Sequence, residues 1–216
     1  MIAIDRRSLA AVLVAIVASC LAWLFGPDAT PSSDGASELP ALNTPTQLVL
    51  ASLSLASTDL IADERLSLEL ASVKLKTPTL SLCGADFPSE SERLVRRRTG
   101  VTAAGQPVSL LSDVTQYSSS AAALQALAEL RDAIAGCAAT EFSDLAVGAE
   151  LPADALAKQW LAADGATALG YWQVRGNVLV SLQWQSTGPD ANRFAELVAA
   201  LQQRLAAVDP VEIGYF

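Results

Sequence analysis

Hydrophobic and polar residues alternate with a period of two in two stretches at the start of the folded region. Residues 48–55 read LVLASLSL, and residues 66–70 read LSLEL and continue toward Val73 and Leu75. This period predicts strands that bury one face, although the abundance of Leu and Ala leaves a helix open for part of this region. The triplet at 80–82, LSL, predicts a further short extended segment.

Two later segments follow a helical period. Residues 118–120 are all serine and supply N-caps for a helix that we expect to run to Ala135 and end at Gly136. A second helix is expected to open at Pro189 and to run to about Val208. The predicted apolar stripes are Leu124, Leu127, Leu130 and Ile134 in the first helix, and Phe194, Leu197, Val198, Leu201 and Leu205 in the second.

The middle of the chain predicts a short helix followed by a strand. Pro88 and the glutamates behind it are typical of a first helical turn, and Arg96–Arg98 would then lie at its C-terminal end before Gly100. Residues 108–117 predict a strand.

The strongest strand pattern is a hairpin. Residues 166–174 and 178–185 flank the turn Arg175-Gly176-Asn177, and Trp160 with Leu161 indicates a preceding strand. Antiparallel strands with helices between and after them indicate an α+β domain. We predict one antiparallel sheet with helices packed on one face, preceded by an N-terminal membrane helix or signal segment.

The N-terminus predicts export or membrane anchoring. Arg6 and Arg7 precede an apolar run from Leu9 to Phe25, and the basic residues are expected to stay in the cytoplasm. The run is long enough to cross a hydrocarbon core of about 30 Å. Val17-Ala18-Ser19-Cys20 is also similar to a bacterial lipobox, which makes Cys20 a lipidation candidate. A transmembrane anchor, a lipoprotein and a released protein all remain open.

Composition divides the chain into three regions. Residues 1–26 form the signal or transmembrane anchor, residues 27–45 are a flexible linker rich in Pro, Ser and Ala, and residues 46–216 form the extracytoplasmic domain. We therefore expect a location at the cell membrane, with the domain facing outward.

Charge and the absence of histidine limit the chemistry. The net charge is −9, which disfavours nucleic acid as a partner. The chain has no histidine, so the commonest general base and zinc ligand are missing. We expect no cofactor, no metal site and no catalytic residues. Asp59, Asp63, Glu64 and Glu69 are residue types suited to an acid–base pair or a cation site, but their spacing matches no known loop, and we interpret them as a solvated turn. An envelope hydrolase that uses carboxylates is a third hypothesis, and it requires two acidic side chains that converge in a cleft.

Two cysteines, Cys83 and Cys137, lie in the domain itself. An even pair in an exported domain predicts a disulfide, and separate buried thiols are the alternative.

One part of the chain resembles the exported PknH-type sensor domains of actinobacteria. The resemblance rests on residues 77–90, TPTLSLCGADFPSE, on the arginines that follow them, and on the later Tyr117-Ser118, Leu130-Arg131 and Cys137. The resemblance covers roughly residues 46–208. It implies an antiparallel sheet with helices on one side, a cleft for an unknown ligand and an envelope location. Those domains generally carry two disulfides, whereas this chain has cysteines for one.

Two groups of side chains are candidates for binding. Arg93, Arg96, Arg97 and Arg98 form a basic run suited to a phosphate or an acidic partner, or else a solvated helix end. Trp160, Trp172 and Trp184 are suited to an apolar or carbohydrate-binding cleft, or else to the core. We expect a non-enzymatic, membrane-tethered sensor-like or ligand-binding domain. The alternative is a structural or interaction protein of the cell envelope that binds no small molecule.

Overall fold

The structure is a computed structural model that describes residues 50–72, 78–103, 110–148, 150–162, 164–186 and 188–208. Seven strands of these residues form one sheet in the order β1-β2-β3-β7-β6-β5-β4, and every neighbouring pair is antiparallel. The strands are β1 Glu64–Ser72, β2 Arg93–Ala103, β3 Leu110–Tyr117, β4 Phe142–Asp144, β5 Ala155–Leu161, β6 Thr167–Arg175 and β7 Val178–Ser186.

Two helices and two short 3₁₀ turns complete the described fold. Helix α1 is Ser120–Ala135 and helix α2 is Ala191–Ala207, while the 3₁₀ turns are Ser57–Asp59 and Pro88–Glu92. The predicted helices and hairpin are therefore confirmed. The hairpin turn has two residues, and Gly176 takes the positive φ of +57° that such a turn requires at its first position.

The helices pack on opposite faces of the sheet. Residues paired across a ladder share a face, and neighbours in one strand point to opposite faces. Val180 of β7 belongs to the cluster that holds the buried stripe of α2, whereas the adjacent Leu179 belongs to the cluster that holds the stripe of α1. The prediction of helices on one face was wrong. Because Val178–Leu182 buries consecutive residues, both faces of β7 need a covering helix.

Residues 50–53 take the helical alternative rather than the strand, because Leu50 and Leu53 are buried together one turn apart and Ser54 Oγ donates to the Leu50 carbonyl. Two other local predictions differ from the structure. The triplet at 80–82 forms no strand. The turn at Pro88–Glu92 exists, but the arginines after it lie in β2 and not at a helix end.

The predicted disulfide is confirmed. Cys83 and Cys137 are bonded, with their Cα atoms 5.7 Å apart. The bond joins the segment before β2 to Cys137, which follows Gly136, the C-cap residue of α1. Cys83 and Gly84 both have positive φ angles, so the bond holds a tight turn in place.

No helix among the described residues is long and apolar enough to cross a membrane. The predicted anchor at 1–26, with Cys20, and the linker at 27–45 lie outside the described residues. The same is true of Val73 and Leu75, so their predicted strand positions stay predictions.

Candidate functional site

An open groove of about 570 Å³ lies at the β4–β5 edge of the sheet. This volume falls in the range of small-ligand sites, roughly 300–1,000 Å³. We call it the edge groove. It is lined by Ala139, Thr140, Glu141, Ser143, Gln159, Trp160, Leu161 and Thr167.

One wall of the edge groove is formed by the segment 139–141. This segment comes two residues after Cys137, which is held by the disulfide to Cys83. Other lining residues belong to the regular sheet, because Gln159 and Leu161 lie in β5 and Thr167 of β6 pairs with Leu161. The groove therefore combines a rigid strand wall with a loop wall that the disulfide anchors.

Trp160 is the aromatic residue among those that line the groove, and its ring lies on the face of the sheet that α1 covers, opposite to the side chains of Gln159 and Leu161. The ring contacts two other aromatic rings. The Phe142 ring lies 5.3 Å from the Trp160 ring at an interplanar angle of 41°. On the other side, the Trp172 ring lies 6.3 Å away and is stacked at 24°. These separations are typical of favourable aromatic pairs. The stack fixes the orientation of Trp160 before any ligand arrives.

Gly170 makes this stack possible. A Cβ atom at Gly170 would lie 2.2 Å from Cη2 of Trp172 and 3.0 Å from Cζ3 of Trp160. Both indole rings therefore rest on the glycine backbone. Sequence reasoning missed Gly170, although a glycine inside a strand pattern is itself a sign of close approach.

The edge groove carries hydrogen-bonding groups and little charge. Glu141 is the one charged residue among those that line it, while Thr140, Ser143, Gln159 and Thr167 offer hydroxyl or amide groups. The nearby Lys158 already forms an ion pair with Asp144 of β4. Leu161 is 66% exposed and gives the rim an apolar contact surface.

The arginine run does not form a surface patch. Arg96 and Arg98 point to the face of the sheet that α1 covers, and both bind the carboxylate of Asp113 on β3. Arg96 is fully buried and also donates from Nη1 to the carbonyl of Pro78 at 3.0 Å. Burial raises the pKa of Asp113 to about 6, although the charge and hydrogen bonds of Arg98 act to lower it.

The other two arginines are separated from this pair. Arg97 lies on the opposite face and is 8% exposed, and burial lowers its pKa. Arg93 forms an ion pair with Glu90. The four arginines are thus divided, with Arg96 and Arg98 together on Asp113 and Arg97 on the other face. Anion binding by Arg93 or Arg98, which keep some exposure, stays a prediction.

The three tryptophans also divide between the faces. Trp160 and Trp172 come together on the face that α1 covers, whereas Trp184 packs against the cluster on the other face. The predicted cleft of three tryptophans is therefore reduced to one stacked pair.

A second groove, of about 450 Å³, lies beside the disulfide and includes Asp86, Glu129 and Asp132 in its lining. Glu129 is already engaged, since it accepts hydrogen bonds from Ser89 and Gln125. Among the described residues, no group of His, Cys, Asp and Glu is arranged to hold a metal ion.

The acidic residues near the start of the domain have structural partners. Asp59 pairs with Arg204, and Glu64 pairs with Arg193, so the two carboxylates fasten α2 to the 3₁₀ turn before β1 and to the first residue of β1. Because both carboxylates form ion pairs with arginines of α2, their role in the fold is structural.

No protein-family model and no curated protein matches this chain. Among solved structures, the extracellular domain of PknH from Mycobacterium tuberculosis is similar, with a TM-score of 0.54 and 14% sequence identity. The match covers 74% of this chain and 96% of that domain. The resemblance inferred from residues 77–137 is thereby confirmed at the level of the fold.

Proposed function

We propose that this chain is a non-enzymatic, extracytoplasmic sensor-like domain that is tethered to the membrane and binds a ligand in the edge groove. The observation that carries the proposal is the groove of ligand size at the β4–β5 edge, which is lined by the loop residues 139–141 and by residues of three neighbouring strands. A concave site of this volume with a few polar groups in its lining is where small molecules usually bind.

Two further observations support the location outside the cytoplasm. The Cys83–Cys137 disulfide is a bond that persists in oxidising compartments. The fold is similar to that of the extracellular domain of PknH. The basic and apolar residues from Arg6 to Phe25 supply the tether in this proposal.

Location is tested with the full-length chain in its bacterial host. Protease added to intact cells should degrade the domain, while a cytoplasmic marker protein stays whole. Fractionation should leave the chain with the membranes. A domain that is protected until the cells are lysed, or a chain found entirely in the culture supernatant, would disprove the proposed arrangement.

Ligand binding in the groove is tested by ligand-observed NMR of the full-length protein with a library of neutral and charged fragments. Leu161→Lys places a long charged side chain in the groove at an exposed position, so the fold should tolerate it. Leu124→Lys is the matched control, because Leu124 is 50% exposed on α1 and is not a lining residue. We expect hits that Leu161→Lys abolishes and Leu124→Lys retains. A library without any such hit would favour a structural protein of the envelope.

A further inference from the structure

We infer that the Cys83–Cys137 disulfide is a reducible site, opened at Cys83 by an uncharged or positively charged thiol. Cys83 is exposed to solvent, whereas Cys137 is half-buried. Cys83 also lines the second groove, of about 450 Å³, which we call the disulfide groove. A thiol that enters this groove therefore reaches the sulfur of Cys83 first. Exposed or strained disulfides are the more easily reduced ones.

The backbone at Cys83 adds strain to the bonded form. Its φ angle is +54°, and of the residues that the structure describes it is the one non-glycine residue with a positive φ. This conformation is unfavourable for a residue that has a Cβ atom, and the bond to Cys137 holds it in place. Breaking the bond lets the turn relax, which favours the reduced form.

The charge of the disulfide groove selects among thiols. Asp86, Glu129 and Asp132 line it, and no lining residue is a lysine or an arginine. These carboxylates repel a negatively charged thiol such as glutathione, whereas they do not repel a neutral or a cationic thiol. The groove therefore favours neutral and cationic thiols as reductants.

The reaction is a pair of thiol–disulfide exchanges. A thiolate attacks Sγ of Cys83, forms a mixed disulfide with it and expels Cys137 as a thiolate, which takes up a proton. A second thiol then attacks the sulfur of the first reductant in the mixed disulfide and releases Cys83, which is protonated in turn. Two thiols, or one dithiol, are thereby oxidised to a disulfide while the two cysteines are reduced.

The core beside α1 has attachments that do not depend on this bond. Leu80 and Phe87 are buried in the cluster that includes α1, and Ser89 donates from its backbone N–H and its Oγ to Glu129. Reduction should therefore release the exposed residues 83–86 and the segment 138–141 while the fold persists. Because residues 139–141 line the edge groove, reduction also loosens one wall of that groove, and this last consequence alone bears on the proposed ligand-binding function.

The experiment uses the full-length protein, whose free thiols, including Cys20, are alkylated first. It then compares three small monothiols of similar size, which are cysteamine with a positive charge, neutral mercaptoethanol and negatively charged mercaptoethanesulfonate. Mass spectrometry measures the rate constant for the first adduct and shows which cysteine carries it. We expect the adduct on Cys83, with Cys137 released as the free thiol.

The double variant Asp86→Asn/Asp132→Asn isolates the effect of charge. It removes two lining charges at exposed positions while keeping the size of the side chains. We expect the ratio of the neutral to the anionic rate constant to fall by at least about twofold at low salt. Asp63→Asn is the matched control, because Asp63 is exposed and lines neither groove. An unchanged ratio in the double variant, or an adduct on Cys137, would overturn the inferred attack at Cys83.

Hydrogen exchange after reduction by dithiothreitol tests the consequence. We expect faster exchange in residues 83–86 and 138–141, with the strands still protected. If dithiothreitol reduces the bond only when denaturant unfolds the domain, the disulfide is solely a structural bond and the inference is wrong. If the bond is reduced as described but no ligand binds in the edge groove, this inference stands and only the proposed ligand-binding function falls.

Discussion

Gly170 shows how one small residue controls the candidate site. It lies in the middle of β6 and has no side chain, which lets the rings of Trp160 and Trp172 rest on its backbone. A side chain at this position would displace rings that are fixed by stacking on each other and on Phe142. The orientation of the groove tryptophan thus depends on a residue that does not line the groove.

Gly170→Ala should lower the free energy of unfolding by about 1–3 kcal/mol, because the new methyl group overpacks a filled site. The same variant should weaken any ligand that depends on Trp160. Denaturant unfolding measures the first effect and NMR titration the second. Gly188→Ala is the control, since a Cβ there would meet no atom within 4 Å. Equal stability of the two variants would contradict the packing described here.

Asp113 should titrate well above an ordinary aspartate. We expect its side-chain carboxyl ¹³C resonance to move with a midpoint near pH 6, because burial raises the pKa from its usual 3.8. Between these values the folded state binds the proton more tightly than the unfolded state. Protonation of Asp113 therefore stabilises the folded state at pH values below about 4. This stabilisation of about 3 kcal/mol is lost as the pH rises from about 4 to 6.

A midpoint near 4 for Asp113 would contradict this assignment. It would mean that the attraction of Arg96 and Arg98 outweighs the cost of burying the carboxylate. The measurement therefore decides whether burial or ion pairing dominates at the centre of this polar cluster.

At the scale of whole elements, the sequence pattern predicted where both helices lie, but it predicted the buried face of α2 better than the buried face of α1. The predicted stripe of α2 is buried in full, from Phe194 to Leu205. In α1 the predicted Leu124 is 50% exposed, and alanines occupy much of the buried face. Leucine and alanine are both common in α1, so the apolar pattern alone did not define which side meets the sheet.

The start of α1 depends on one side chain. Ser119 Oγ accepts a hydrogen bond from the backbone N–H of Ala122, which satisfies a donor that the helix cannot satisfy itself. Ser119→Ala should lower the free energy of unfolding by about 1 kcal/mol, whereas Ser119→Thr should keep most of the wild-type value. Thermal or denaturant unfolding of both variants provides the comparison. Equal loss in the two variants would show that capping is not the cause.

At the scale of the whole molecule, one sheet separates two hydrophobic clusters. The cluster with α2 includes Tyr171 and Val180, and the cluster with α1 includes Tyr117 and Leu179. The disulfide belongs to the side of α1 and connects the end of that helix to the segment before β2. It therefore stabilises the cluster next to the edge groove most directly.

Replacing both Cys83 and Cys137 by serine should lower the free energy of unfolding by about 4 kcal/mol, from the entropy of closing a loop of roughly 55 residues. The segment 139–141 should also exchange its amide hydrogens faster, since its anchor is gone. Denaturant unfolding and hydrogen exchange test these effects. Unchanged exchange in that segment would contradict the role of the disulfide in holding the loop wall of the groove.

The candidate site was only partly predictable. Trp160 and Trp172 were expected to bind a ligand or to join the core, and they form the stacked pair beside the groove. Glu141, Gln159 and Thr167 gave no signal, because isolated polar residues on strands and loops are common. They become neighbours through the pairing of β4, β5 and β6.

The amino-acid sequence by itself determined the local elements and the covalent link of this protein. Periodicity, capping residues and turn glycines act within a few neighbouring positions, so they indicated most strands, both helices and the hairpin. Two cysteines in the domain left one possible internal pairing, which the structure contains.

Only the tertiary structure decided which faces meet. Consecutive residues of a strand point to opposite sides, so Arg96 and Arg97 are separated by the sheet although they are adjacent in sequence. The partner of Arg96 is Asp113 on a different strand, and the register between those strands depends on packing across the whole domain. The arrangement of charges and aromatic rings therefore became visible only with the sheet assembled.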